Sequence, residues 1–517
     1  MLWQSTADLT FPQTYGISST VSPGTELMSG LFDTTAVEEA ENMASGLVSN
    51  LFPAGQRFFT VTAPGKLRDN AEAKEYLPYL VEQVHEQMFN SNFIAQVSNT
   101  IHYWVVFGTG AIYSDWTVKD GLNYRDYAIG TYQCLENAQG IIDTIILTCP
   151  MSARQIVEKF GANSGQSVLE AFSKPDGKEN IFDVIQYIAP RPQYDPDPYL
   201  RPSTAAPWQS VYVQEKDAVL LEESGYDEFP FAVPRYQVIY RETYGRGRGT
   251  TMLPQVRTLN RLAKDYLEMS NKWVNPAREI LESFEGVVDV TPGANNYVTQ
   301  IPSIKAIEMG ANGAYPVTKD MLEYRREGIR QGFFKNAFEP LTPLEGDRRT
   351  TIEIIERLKE GMKRLSKPIG RLFTEFLTPK IVRTIRLLVR NGVVERPPDI
   401  LAGAPLKIEF VNPLALALRD QQARAGQYWI SALINATEVI PGVLDNADTD
   451  EWARDLGESL GVKSNQIRPV RKRDEIRQQL AAAQQMMQEA QLVTAGAEAY
   501  SKTTKAPEPG SPLGGQQ

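Results

Sequence analysis

The chain has 517 residues, of which 42% are hydrophobic and 22% charged; 53 Lys and Arg oppose 63 Asp and Glu, giving a formal net charge of −10. That length accommodates about three domains with real apolar cores, whereas two cysteines (Cys134, Cys149) and two histidines (His85, His102) exclude a disulfide framework, a zinc cage and a His-rich metal site. No stretch approaches the ~18 consecutive apolar residues of a membrane span, and the opening MLWQSTADLTFPQ lacks the basic and apolar regions of a secretion signal; the expectation is a soluble, intracellularly made protein with no membrane partner.

Residues 1–31, rich in Ser, Thr, Gln and Pro, read as a loosely held N-terminal arm. A helix is predicted from Thr35, where Thr35 and Glu38 fit a capping box, Met43, Ala44, Leu47, Val48 and Leu51 follow helical spacing, and Pro53 ends the run. Two more helices are predicted at Asn70–Asn90 and Asn92–Phe107, the second stopped by Gly108 and Gly110. From Ala111 the pattern turns to strands, with Tyr127–Cys134 and Ile141–Cys149 flanking the turn ENAQG. A short helix (SARQIVEKF) and a strand (FDVIQYIAP) follow. Six prolines in the segment 190–207 mark an exposed loop or arm. Strand-like runs at Ser210–Gln214 and Ala218–Glu223 complete an α+β body.

Past Gly245, Gly247 and Gly249 the chain returns to helix, with Pro254 in its first turn and Leu259, Leu262, Tyr266, Met269 and Trp273 on one side. The charge-poor segment 276–316 reads as short strands and turns; Val317–Ala337 is helical, with Met321, Tyr324, Ile329 and Phe333 on one side. The strongest periodicity is Leu358, Met362, Leu365, Ile369, Leu372 and Phe376, opened by a Thr350–Glu353 capping box and kinked by Pro368 and Pro379. A last helix at Arg471–Tyr500 aligns Ile476, Leu480, Ala483, Met487 and Ala490, and the tail APEPGSPLGGQQ has the composition of disorder.

Catalytic and ligand-binding signatures are weak. The run YGRGRGTT sits between a strand and a helix, where glycines can cradle phosphate, but its spacing departs from the dinucleotide pattern and no GxxxxGK[ST] occurs. A structural turn is the stronger reading of Gly245, Gly247 and Gly249. No histidine, cysteine or carboxylate group forms a metal or catalytic set, so the expectation is a non-enzymatic protein without cofactor. Segment 317–401 carries 18 basic against 12 acidic residues. Its Arg364, Lys367, Arg371, Lys380, Arg383, Arg386 and Arg390 read as a solvated face opposite the apolar stripe. The chain as a whole repels DNA, which excludes a DNA role or requires one in which sticking is harmful.

Five stretches carry a resemblance: FDTTAVEEAENMASGLVSNLFPAGQRFFTV (32–61), FGTGAIY (107–113), YDEFPF leading into YGRGRGTTMLPQVRTLNRL (226–262), RRTTIEIIERLKEG (348–361) and FVNPLALALRDQQ (410–422). In that order the chain resembles the portal, or head-to-tail connector, proteins of short-tailed, podovirus-type bacteriophages. The resemblance implies a portal-type α+β fold: wing at 32–252 with the Pro-rich arm 190–207, stem helices at 253–275 and 317–338, and a small β-containing clip at 276–316. It further implies a channel loop at 339–349, a kinked long helix and wing return at 350–409, a helical crown at 410–468, a C-terminal barrel or coiled-coil helix at 469–500 and a disordered tail at 501–517.

Functionally the resemblance implies a ring, usually of twelve subunits, at one capsid vertex, through which double-stranded DNA is packaged and ejected. The implied partners are copies of the chain, the packaging ATPase (terminase large subunit), tail adaptor proteins, and major capsid and scaffolding proteins, first in the host cytoplasm during assembly and then in the virion. Arg348 and Arg349 would face DNA or pair across subunits with acids such as Glu345 or Asp347. Gly245, Gly247 and Gly249 would be a wing–stem hinge, and Ile476, Leu480, Ala483, Met487 and Ala490 a self-association stripe. The alternative, of a different class, is another oligomeric virion structural component, internal or of the tail tube, without a DNA channel.

Overall fold

The computed structural model describes 2–192 apart from 13, 15, 19–20, 23, 54–55, 65–66, 68–69 and 118; then 206–274, 278–280, 304–306, 314–335, 365–411 apart from 402 and 405, 428–435, and scattered residues between 450 and 486. The chain divides into two compact units, 1–421 and 422–517.

The first unit opens with a helix. α1 (Leu2–Thr10) buries Thr6, Ala7 and Thr10, so the residues expected as a loose arm begin as an anchored element. Its polar composition hid it: the hydroxyls of Thr6 and Thr10 donate to the carbonyls of Leu2 and Thr6 at 3.0 and 2.6 Å, satisfying themselves inside the helix. The Gln4 side-chain carbonyl accepts the backbone N–H groups of Ile17 and Ser18. α2 (Thr35–Leu51) buries Met43, Ala44, Leu47 and Leu51 as its spacing requires. The expected Thr35 capping box does not form, because the boundary lies one residue earlier. Thr34 is the N-cap and its hydroxyl meets Glu38 at 2.7 Å, while the Asp33 carboxylate accepts the Thr35 N–H at 3.0 Å.

β1 (Phe59–Thr62) precedes α3 (Ala71–Asn90), whose N-cap Asn70 accepts from the N–H groups of Glu72 and Ala73. α4 (Phe93–Val106) is the most buried helix, with Phe93, Val97, Ile101, Trp104 and Val105 all sealed. It ends at Gly108, whose φ of +92° suits glycine.

β2 (Ala111–Thr117) and β3 (Gly121–Tyr127) form a hairpin, joined on the other side of β2 by β9 (Phe231–Ala232). A single strand at 127–134 was the expectation. Instead β3 ends at Tyr127, and the chain turns through Gly130 at φ +96° before β4 (Tyr132–Glu136) begins. An antiparallel meander then runs β4, β5 (Ile142–Ser152), β6 (Ile181–Pro190), β7 (Trp208–Gln214), β8 (Val219–Tyr226). The ENAQG turn joins β4 to β5 as predicted. Between β5 and β6, α5 (Ala153–Phe160) starts on a complete Ser152–Gln155 capping box. With α6 (Gln166–Ser173), absent from the sequence reading, it seals one face of the sheet through Ile156, Phe160 and Val168.

α7 (Arg248–Val274) starts six residues ahead of Pro254, so the proline lies in its second turn rather than its first. β10 (Arg278–Ile280) and β11 (Ile304–Ala306) pair antiparallel within the charge-poor segment. α8 (Ala314–Gly332) follows. Its buried side runs through Leu322 and Ile329 toward Phe333, whereas Met321 and Tyr324 are 46% and 76% exposed; these two were expected with the buried set. The long stripe holds where described: Leu365, Ile369, Leu372 and Phe376 are fully buried. Helix at 365–372 passes through a π-turn, Phe373–Leu377, into α9 (Thr378–Arg390). The Thr378 N–H reaches the Phe373 carbonyl five residues back, which lets Pro379, lacking an N–H, be carried without ending the helix. β12 (Lys407–Phe410) returns to pair with β1, Phe59 opposite Phe410.

In the second unit the described residues include a helix at 428–435 and Arg473 and Arg477, which meet Asp450 at 2.9 and 2.5 Å. The channel loop at 339–349 and the first part of the kinked helix lie outside the described residues.

Adding a methyl at Gly108 would drive it into the backbone of Arg246 and Gly247. Gly108→Ala should therefore lower stability by at least about 2 kcal/mol in chemical denaturation. Gly140→Ala, at φ +75° but facing open space, should cost only about 1 kcal/mol. Equal losses at both positions would refute the close-packing account.

Candidate functional site: the helical hairpin and its root

α7 and α8 form an antiparallel pair. Arg248 at the start of α7 donates from Nε to the Gly332 carbonyl at 3.0 Å and stacks its guanidinium 4.4 Å from the Phe334 ring. Along the pair, Met252 packs against Gly332, and a side chain on Gly328 would touch Gln255. At 1.5 Å per residue the 27-residue α7 is about 40 Å long.

The root of this hairpin is a crossing of bare backbones. Gly247 lies so close to the end of α4 that a Cβ would sit 2.5 Å from the Gly108 nitrogen and the Val105 carbonyl oxygen. Gly249 abuts the Val106 carbonyl in the same way, and Gly245 abuts the Gly108 carbonyl. The Gly245 N–H donates to the Thr109 hydroxyl at 2.8 Å, and the Tyr236 N–H to the Gly108 carbonyl at 2.8 Å. None of these three glycines has a positive φ; what they supply is space.

Buried charge braces the surroundings. Arg235, 4% exposed, uses its N–H groups on both oxygens of Glu375 in the π-turn, on Glu136, and on the carbonyls of Thr243 and Gly140. Lys380 and Arg383, expected on a solvated face, are 1% and 3% exposed beneath β2. Lys380 Nζ donates to the Ile112 carbonyl at 3.0 Å and the Ser114 hydroxyl at 3.1 Å; Arg383 donates to the Ser114 carbonyl and to Glu228. Burial, with the neighbouring Arg383 charge, holds the Lys380 amine well below the usual lysine range. Arg386 and Arg390 also meet Glu228. These basic residues hold helix to sheet, and the buried pair is removed from any solvent-borne partner.

A second brace ties α8 to α2. Arg326 meets Asp33 at 2.9 Å, and Arg330 meets Glu39 at 3.9 Å and Glu323 at 2.7 Å. Burial raises the Asp33 carboxyl, but hydrogen bonds from Thr35 and Arg326 outweigh it and leave the group below its ordinary value.

Among the described residues no catalytic constellation accompanies this framework. Burial lowers both His85 and His102 to about 4, and His85 is spent on the Val81 carbonyl and the Phe58 N–H. Among the described residues no group of three His, Cys, Asp or Glu side chains could hold a metal, and no helix is long and apolar enough to cross a membrane. What remains is a rigid helical hairpin on a braced α+β body.

Residues 1–467 match the family described as bacteriophage head to tail connecting protein. The chain belongs to that family. The chain is 26% identical over 487 residues to the portal protein of Salmonella phage epsilon15, covering 92% of this chain and 86% of that one. It is 25% identical over 491 residues to the probable portal protein of Bordetella phage BPP-1, covering 93% and 87%. Of the site residues expected from the sequence, Gly245, Gly247 and Gly249 meet at the hairpin root. Arg348, Arg349, Leu480, Met487 and Ala490 lie outside the described residues, and Ile476 and Ala483 are exposed in the second unit. Arg235, Lys380 and Arg383 carry no local signal of their role, because, Thr243 apart, their partners lie 95 to 269 residues away.

With the Asp33 carboxyl depressed, the unfolded chain binds a proton that the folded chain does not. Its contribution is therefore present at neutral pH and lost as pH falls through the folded value. Asp33→Asn should reduce stability at pH 7 by about 1–3 kcal/mol and flatten the acid limb of a melting-temperature profile. An acid limb unchanged by the substitution would rule the brace out as its source.

Proposed function

We propose that this structural, non-enzymatic chain is a phage portal protein: copies close into a ring, of twelve subunits, at one capsid vertex, and double-stranded DNA passes through the lumen in packaging and ejection. The family match over residues 1–467 carries this reading, and the antiparallel α7–α8 hairpin on an α+β body supports it. α7 and α8 would be the stem and the segment holding β10 and β11 the clip, facing the packaging ATPase and then tail adaptors. Arg348 and Arg349 would lie in the loop lining the lumen. The stripe of Ile476, Leu480, Ala483, Met487 and Ala490 would join C-terminal helices to one another. Assembly, with capsid and scaffolding proteins, would take place in the host cytoplasm before the ring resides in the virion.

Dimensions and charge agree with such a conduit. Twelve helices at interaxial spacings of about 10 Å enclose a ring roughly 38 Å across centres, leaving a bore near 28 Å once helix thickness is removed. A chain charge of −10 amounts to about −120 for twelve copies, so a sliding duplex meets net repulsion rather than a preferred stop. Gly245, Gly247 and Gly249, packed tightly at the root, would fix the angle at which stem leaves wing; any hinge motion there must separate α4 from α7.

Negative-stain microscopy of the purified chain should show rings with a central hole; particles solid at the centre, or only monomers, would defeat the proposal. Arg348→Ala with Arg349→Ala should leave ring assembly intact and reduce DNA packaged or retained per particle. Unchanged DNA content would remove both residues from the lumen wall.

A further inference from the structure

Two exposed stripes on the hairpin complement one another. On α7, Arg257, Arg261 and Lys264 recur at helical spacing on the side turned away from α8, since Arg257 lies about half a turn around the helix from Gln255, which faces Gly328. With Leu9, Phe32, Asn260 and the two acids Asp265 and Glu268 they line a cavity of about 470 Å³, in which cations outnumber carboxylates. Its apolar wall is held in place by Asn260, which accepts the Phe32 N–H at 2.7 Å and donates to the Gly30 carbonyl at 3.0 Å. Lys264 stands 5.8 Å from the Phe32 ring and 3.8 Å from Glu268; Arg257 and Arg261 make no ion pair among the described residues. On α8, Asp320, Tyr324 and Glu327 follow at the same spacing, and Tyr324 is 76% exposed.

Height relates the two stripes. Met252 is level with Gly332 and Gln255 with Gly328. Stepping outward along this antiparallel pair brings Arg257 level with Glu327, Asn260 with Tyr324 and Lys264 with Asp320. Rotation about a ring axis along the hairpin carries every residue to the same height in the next copy, and a ring needs two different faces that fit each other.

We propose that α8 of one subunit docks on α7 of its neighbour, with Tyr324 seated in the cavity walled by Leu9 and Phe32, Glu327 against Arg257, and Asp320 against Lys264. This assignment rests on the ring reading above and names the contact that closes the stem. Tyrosine suits that position because its ring can lie on Leu9 and Phe32 with Arg257, Arg261 and Lys264 beside it, and its large rigid surface concentrates binding energy at an interface. Opposite charges at matching heights fix the register and reject a slipped neighbour.

The test uses full-length protein, with ring fraction measured against concentration by native mass spectrometry and microscopy, and folding checked by circular dichroism. Lys264→Glu and Asp320→Lys should each raise the concentration for half-assembly at least about tenfold, and the combined exchange should restore it to near the parent value. Tyr324→Ala should weaken assembly about as much, whereas Tyr324→Phe, which keeps the ring, should assemble like the parent. Folded single variants that form rings normally, or a combined variant no better than the worse single one, would overturn the interface and leave the ring reading standing. A parent that forms no rings would instead remove the ring reading itself. Normal assembly of Arg257→Glu with Arg261→Glu, accompanied by loss of DNA, would reassign that face to phosphate contact and overturn the proposal.

Discussion

Four glycines let two stretches of backbone touch at the root of α7, and the direction of the hairpin depends on that crossing. Gly108 follows α4, and Gly245, Gly247 and Gly249 lead into α7; at each a Cβ would collide with main chain from the other stretch. Collisions with backbone cannot be relieved by a rotamer change, so the contact is a rigid fixture. Hydrogen bonds across it, from Gly245 to Thr109 and from Tyr236 to Gly108, fix the register in which the helix departs. α1 packs against the same region, its Trp3 ring edge-on to Tyr244 at 4.9 Å.

Around that fixture the protein uses buried cations as fasteners. An uncompensated buried charge is costly, and each here is surrounded by acceptors. Arg235 gathers the β4–β5 hairpin, the loop after β9 and the π-turn around one guanidinium. Lys380 and Arg383 reach backbone carbonyls of β2, so their helix is held to a strand by groups that specify geometry as well as stability. Removing either partner would strand the other away from water, so each contact is costly to break even where making it adds little net stability.

Much of the framework was legible in the sequence because its determinants are local. α3 and α5 start on caps at Asn70 and Ser152, α4 follows its own apolar spacing, and the meander follows alternation broken by turn residues. The misses share a physical cause. α1 hides apolar contacts among threonines that bond back into their own helix, and the boundary between β3 and β4 turns on Gly130, one glycine inside an otherwise strand-like run. Charge read along the chain put Lys380 and Arg383 in solvent, because helical spacing cannot say what packs on the polar side of a stripe. The glycine cluster was visible as a turn, but its reason, the approach of α4, comes from residues over a hundred positions earlier. The family itself was legible from ordered stretches rather than from a reactive site, as suits a protein whose role rests on shape.

The π-turn sets a phase. Upstream, the buried line runs Leu365, Ile369, Leu372, Phe376; downstream it resumes one position late, through Leu377, Ile381, Thr384 and Leu388. The extra residue thus offsets the two halves by about 100° relative to an unbroken helix. Without it the apolar row would run straight into Lys380 and Arg383, and neither could meet the carbonyls of β2 while Ile381 and Leu388 filled the core. One surplus residue, gripped by Arg235 through Glu375, therefore reconciles an oily seam with a cationic one on a single rod.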